Sequence, residues 1–280
     1  MIIDAHQHLW DPARRRYPFL EDPALEPLRR PYTASDLWEV TDGRAAGTVV
    51  VQTVGDRSET EEFLATAAAT DGLIRGVVGW VDLAAGDVAE QIGKLRARPG
   101  GERLVGIRHQ VQDEPDPGWL ARVDVRRGIR AVGAAGLAYD LLVLTPQLDA
   151  ARDVAEALPE VRFVLDHLAK PPIAAGGWEP WAGGVAALAA LPNVTAKLSG
   201  LVTEAVWDDW DARRIGRYAE HALTLFGPDR LMFGSDWPVC TLAGSYADVF
   251  ALAVALTVAL SDTERAAVFG DTAARVYGLA

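Results

Sequence analysis

A second cysteine, a membrane-length apolar stretch and an excess of positive charge are all missing from this chain of 280 residues. Cys240 stands alone, so no internal disulfide can form, and a reducing compartment fits. The longest apolar run, Val249 to Leu260, falls well short of the roughly 20 residues that span a bilayer and reads as a buried helix. The formal charge of −12 opposes contact with nucleic-acid phosphates or anionic membranes, where Lys and Arg must displace counterions. A small molecule is the expected partner. No basic stretch with an apolar core opens the sequence, which passes through Ile2 and Ile3 straight to His6 and His8, so the expected location is the cytoplasm. No repeat or linker divides the chain, and one domain over 1–280 is expected.

What is present is apolar content, 50% of residues, arranged in a regular rhythm. Short apolar or β-branched runs occur at Ile2–Ala5, Thr48–Gln52, Ile74–Val81, Leu104–Arg108, Leu137–Leu142, Arg162–Asp166, Val194–Leu198 and Arg230–Phe233. Several lack polar alternation, as strands covered on both faces do. Helical periodicity lies between them at Glu59–Ala69, Val88–Arg98, Pro146–Leu158, Val185–Leu191, Asp211–Phe226 and Tyr246–Leu260. Ser261 and Glu264 form a capping-box pattern that starts a last helix running to about Val276. Alternation of this kind predicts an α/β fold, a (β/α)8 TIM barrel. One segment breaks the rhythm. Leu9 to Val40 carries Pro12, Pro18, Pro23, Pro27 and Pro31, which oppose regular structure, and it is expected to be a long irregular insertion forming a lid over the strand C-termini.

His6 and His8 end the first strand, and residues two apart on a strand share a face. His167 directly follows the sixth strand and Asp236 the eighth. Barrel closure pairs the eighth strand with the first, so the four side chains are expected to meet in one site although they come from both ends of the chain. Three imidazoles and a carboxylate form a ligand set for one divalent ion, zinc by its donor types, and the same groups can work on water without a metal. Trp80 and Trp237 are candidates for stacking on a ligand ring, with Trp178 and Trp181 behind them. His221, inside a predicted helix, reads as structural.

The motifs Ile3-Asp4-Ala5-His6-Gln7-His8-Leu9-Trp10, Gly106-Ile107-Arg108-His109, Asp166-His167-Leu168-Ala169-Lys170-Pro171, Lys197-Leu198-Ser199-Gly200-Leu201 and Phe233-Gly234-Ser235-Asp236-Trp237-Pro238 occur in order along the chain. Together they resemble the amidohydrolase-related lactonases, a group acting on fuconolactone-like, rhamnonolactone-like and pyrone dicarboxylate substrates. The resemblance implies hydrolysis of a lactone, with Asp236 as the base toward water, His167 polarising the carbonyl, and Arg108 with His109 stabilising negative charge. It also implies substrate contacts at Tyr139 and Lys197, and members occur both with and without a required metal. Lys170 is expected to support His167 rather than to touch substrate. A binuclear centre is not expected, since the fourth strand ends in Arg108 and His109. Two other readings are a metal-dependent decarboxylase on the same barrel and a barrel that binds a sugar acid without catalysis.

Overall fold

Strands that are covered on both faces need few polar residues, and each apolar run forms one strand in the computed structural model, which describes residues 1–279. These are β1 (Ile3–Gln7), β2 (Gly47–Val51), β3 (Ile74–Gly79), β4 (Leu104–His109), β5 (Ala138–Leu141), β6 (Arg162–Leu165), β7 (Val194–Leu198) and β8 (Leu231–Phe233). They form one eight-stranded sheet in sequence order, every pair parallel. Closure is made just past the strand ends: Asp236 N–H donates to the His6 carbonyl at 2.8 Å and His8 N–H to the Trp237 carbonyl at 2.7 Å. The molecule is a (β/α)8 barrel, and no helix among the described residues is long and apolar enough to cross a membrane.

Helices cover the barrel: α1 (Ala34–Thr41), α2 (Arg57–Ala69), α3 (Val88–Arg96), α4 (Val123–Ala134), α5 (Leu148–Ala157), α6 (Trp181–Ala189), α7 (Ala212–Phe226), α8 (Tyr246–Leu256), α9 (Asp262–Ala266) and α10 (Thr272–Tyr277). Two of them depart from the sequence reading. The insertion is not irregular throughout: two short 3-10 helices start at Pro18 and Pro23, where proline's missing N–H costs nothing, and α1 starts at a Thr33–Asp36 capping box. The other is α4, absent from the helical periodicity read above although Val125, Ile129 and Val132 form its buried stripe. The expected closing helix is likewise interrupted, by a π-helical turn at Ala267–Asp271 between α9 and α10.

Gly128 is one weak helix former that packing requires in α4. A Cβ there would lie 2.2 Å from the carbonyl oxygen of Leu83, so close packing excludes even alanine. Gly128→Ala gains about 1 kcal/mol of helix propensity but overpacks against rigid backbone, which costs about 1–3 kcal/mol. Net destabilisation is expected in urea unfolding, and an unchanged midpoint would show that α4 shifts outward freely.

Two apolar cores result. The larger lies between strands and helices; the smaller fills the barrel with Ile3, Ala5, Val49, Val51, Val78, Val105, Ala138, Val164 and Met232. Ala273, Val276 and Tyr277 of α10 join the inner cluster, so the last helix plugs the barrel at the N-terminal ends of the strands. The opposite end is left for chemistry.

Candidate active site

Ile3 and Ala5 face the inner core, and strict alternation would then turn His6 and His8 outward. A register shift against β2 between Asp4 and Gln7 breaks the phase and brings both imidazoles inside. Their Nε2 atoms lie 3.1 Å apart. His8 Nδ1 donates to the Val51 carbonyl at 2.7 Å, which leaves a lone pair on Nε2 of the neutral ring. His6 Nδ1 lies 3.3 Å from Asp166 Oδ1 and 3.1 Å from Lys197 Nζ. Donation to Asp166 frees the Nε2 lone pair, whereas accepting from Lys197 places the proton on Nε2, so both neutral tautomers have a partner. Burial, and next the Lys197 charge, holds His6 well below the usual imidazole pKa.

Asp236 Oδ1 sits among the three imidazoles, 3.8 Å from His6 Nε2, 3.4 Å from His8 Nε2 and 3.8 Å from His167 Nε2. Burial alone would raise its carboxyl, but His167, His8 and His6 outweigh burial and keep it well below the ordinary range, hence ionised at neutral pH. His167 is brought down to about 4 by burial, with Asp236 opposing the shift. Its Nδ1 shares a hydrogen bond of 2.9 Å with Ser199 Oγ. The fit is tight on two sides. A Cβ on Gly200 would lie 2.5 Å from His167 Nδ1, and one on Gly234 would lie 2.7 Å from His6 Cβ.

Beneath the cluster lies a buried ionic layer. Lys197, fully buried on β7, holds Asp140 Oδ2 at 2.6 Å and Asp166 Oδ1 at 2.9 Å. Arg108 pairs with Asp166 Oδ2 at 2.9 Å and with Gln52 Oε1 at 3.0 Å, and donates to the Gln52 carbonyl. Tyr277 donates its hydroxyl to Asp140 at 2.7 Å. Two cations thus face two carboxylates. Burial together with Asp166 raises Asp140 to about 6 against the pull of Lys197, whereas Lys197, His6 and Arg108 overcome burial at Asp166 and hold it well below the carboxylate range.

A cavity of about 260 Å³ opens above the cluster. His8, Arg108, His167 and Asp236 line it, together with Trp10, Phe19 and Leu25 of the insertion, which roofs the site. Other side chains proposed from sequence lie elsewhere. His109 follows Arg108 on β4 and so points the other way: it accepts from the Trp80 indole at 3.0 Å, meets Glu114 at 2.6 Å and stacks on Trp119. Trp80 is spent on that contact. Tyr139 packs against Phe163 on the outer side of β5, the alternate face from Asp140. Lys197 is sealed in the ionic layer, and Trp237 is buried edge-on against Tyr32. Trp178 and Trp181 pack with Tyr218 and His221 away from the cavity. None of these lines the cavity, whereas Lys170, expected to stand behind His167, does. Sequence reasoning also passed over Thr53, Gln110, Thr203, Glu204 and Trp207 on the walls and Asp140 beneath. Only Asp140 left a signal, a carboxylate inside an apolar strand.

The donor set suits a metal. His6, His167 and Asp236 present ligand atoms within 4.8 Å of one another, all buried, and His8 adds a lone pair beside them. Nitrogen and oxygen donors in this ratio match zinc. The place behind His6, where a second cation could sit between Asp140 and Asp166, is filled by the Lys197 ammonium.

Known proteins resemble this chain along nearly its whole length. The amidohydrolase family model matches residues 3–279. An L-fucono-1,5-lactonase of Burkholderia multivorans is 39% identical over 99% of this chain and 96% of its own. An amidohydrolase from the same organism, crystallised with zinc bound, superposes with a TM-score of 0.92 at 38% identity over the whole of both chains. A 5-carboxyvanillate decarboxylase from Sphingomonas paucimobilis, 13% identical with a TM-score of 0.66 over 100% of this chain and 99% of its own, shares the fold. On the family match across nearly its whole length, the chain belongs to the amidohydrolase family.

Proposed function

We propose that this enzyme opens the lactone of a neutral sugar acid, with Asp236 as general base. The observation that carries the reading is an ionised carboxylate on the floor of a roofed cavity, ringed by three imidazoles and adjoined by a fixed guanidinium. The full-length likeness to an L-fucono-1,5-lactonase supports the substrate class. Asp236 takes a proton from water as the oxygen attacks the carbonyl carbon. Arg108, held by Gln52 and Asp166, faces the negative charge that develops on the carbonyl oxygen, and its fixed position spares reorganisation. Collapse of the tetrahedral species breaks the ring C–O bond, and the proton on Asp236 passes to the departing ring oxygen. The product is a hydroxy acid, whose ionisation acidifies the medium.

His6, His8, His167 and Asp236 would hold one zinc ion, which when bound lowers the pKa of water and polarises a carbonyl. Titration of chelator-treated protein with zinc is expected to show one bound equivalent by calorimetry; no binding would remove the ion from this reading. The activity itself is tested with a panel of aldonolactones read as proton release, and acid from none of them would overturn it. Carbon dioxide from aromatic acids would assign the barrel to decarboxylation instead.

A pH profile follows from His167. Its neutral form is the one that sits beside Asp236, and its pKa of about 4 keeps it neutral well below the ~6.5 of a free imidazole. The sign is therefore a loss of kcat/KM on acidification that begins near pH 5. An acid limb centred at 6.5 would show that protonation of His167 does not set the profile.

A further inference from the structure

The segment leaving β6 is strained in an unusual way. His167, Leu168, Ala169 and Lys170 all occupy the left-handed region, at φ of 53°, 52°, 58° and 50°. Each such residue costs about 1–2 kcal/mol relative to right-handed backbone, so four in succession persist only because their surroundings hold them. Lys170 N–H closes the turn on the His167 carbonyl at 2.8 Å, and the Trp181 indole donates to the Leu168 carbonyl at 2.7 Å. Leu168 and Ala169 are buried, and the two ends of the turn, His167 and Lys170, both line the cavity. The strained backbone aims two side chains at one space.

Glu204, on the loop after β7, lines the same cavity, its backbone tied down by Ala174 N–H at 2.9 Å. Neither the Lys170 ammonium nor the Glu204 carboxylate makes a hydrogen bond or ion pair with another described residue. Arg108 and Lys197, by contrast, already have partners in Gln52, Asp140 and Asp166. Burial raises the Glu204 carboxyl and Lys170 draws it back, so the two charges share one field.

We infer that Lys170 and Glu204 are specificity-determining residues, a donor and an acceptor that grip the ring hydroxyls of a polyhydroxylated lactone. This inference rests on the lactonase reading above. A sugar hydroxyl gives its hydrogen to a carboxylate and accepts from an ammonium, so adjacent ring hydroxyls satisfy both groups at once. A lactone without hydroxyls leaves both groups unpaired in the cavity, and sites built to bond a hydroxyl discriminate strongly against analogues that lack it.

The test compares kcat/KM for glucono-1,5-lactone and unsubstituted δ-valerolactone in the wild type, Lys170→Met and Glu204→Gln. The ratio of the two values is expected to fall at least about tenfold in each variant, mostly through a higher KM for the sugar lactone. Both substrates sample the same folded fraction, so any loss of folded protein cancels in the ratio. A ratio within twofold of wild type overturns the inference. A wild type that opens neither lactone, nor any aldonolactone of the panel, overturns the lactonase reading itself.

Discussion

Asp236→Asn is expected to lower kcat/KM for lactone opening by about a thousandfold, within the range of about 10²–10⁴ ascribed to a positioned general base. Asparagine keeps the size and shape but cannot take a proton from water. The fold should survive, because the bond that Asp236 contributes to barrel closure comes from its backbone N–H to the His6 carbonyl. Thermal melting therefore separates the two roles: a normal transition with lost turnover supports the base, and near-normal turnover would refute it. A loss of this size corresponds to about 4 kcal/mol of transition-state stabilisation.

The largest effect on stability is expected from Lys197→Met. Methionine fills a similar volume but leaves Asp140 and Asp166 without the ammonium that lies 2.6 and 2.9 Å from them. Removing one partner of a buried pair costs about 3–5 kcal/mol, chiefly through the uncompensated charge that remains. Urea unfolding should register it as a large fall in midpoint, and an unchanged midpoint would show that Arg108 and Tyr277 alone satisfy the two carboxylates. The pH dependence has a definite sign. Asp140 already has its pKa raised to about 6 by burial, and without the cation it rises further. The folded state then binds a proton that the unfolded state releases, so stability is lost as pH rises through this range. The deficit of the variant should shrink as the pH is lowered toward 5, and Asp140→Asn in the same chain should restore part of it.

The barrel was legible because its strands are apolar runs with chemistry at their ends. His6, His8, His167 and Asp236 are polar side chains placed directly after such runs, and topology does the rest. What could not be read was direction. The period of two along β4 and β5 sends Arg108 and Asp140 inward and their neighbours His109 and Tyr139 outward, a distinction that motif resemblance hides. His6 and His8 reach the interior only through a register break in β1 that leaves no mark in composition. Lys170, three residues beyond His167, reads from sequence as its support; a left-handed turn without glycine brings it to the cavity instead. Lys197 is the reverse case. A lysine near a strand end looks like a group for solvent or substrate, and here two carboxylates from β5 and the end of β6 hold it in the barrel interior.

The phenol of Tyr277 gives the far end of the molecule authority over its interior. A nascent chain that has just passed Asp236 already owns every imidazole and the carboxylate of the site, yet lacks the stopper beneath them. Until α10 arrives, Asp140 has no hydroxyl donor and the barrel floor stands open to water. A change that draws Tyr277 away from Asp140 would reach the chemistry from below without touching the mouth.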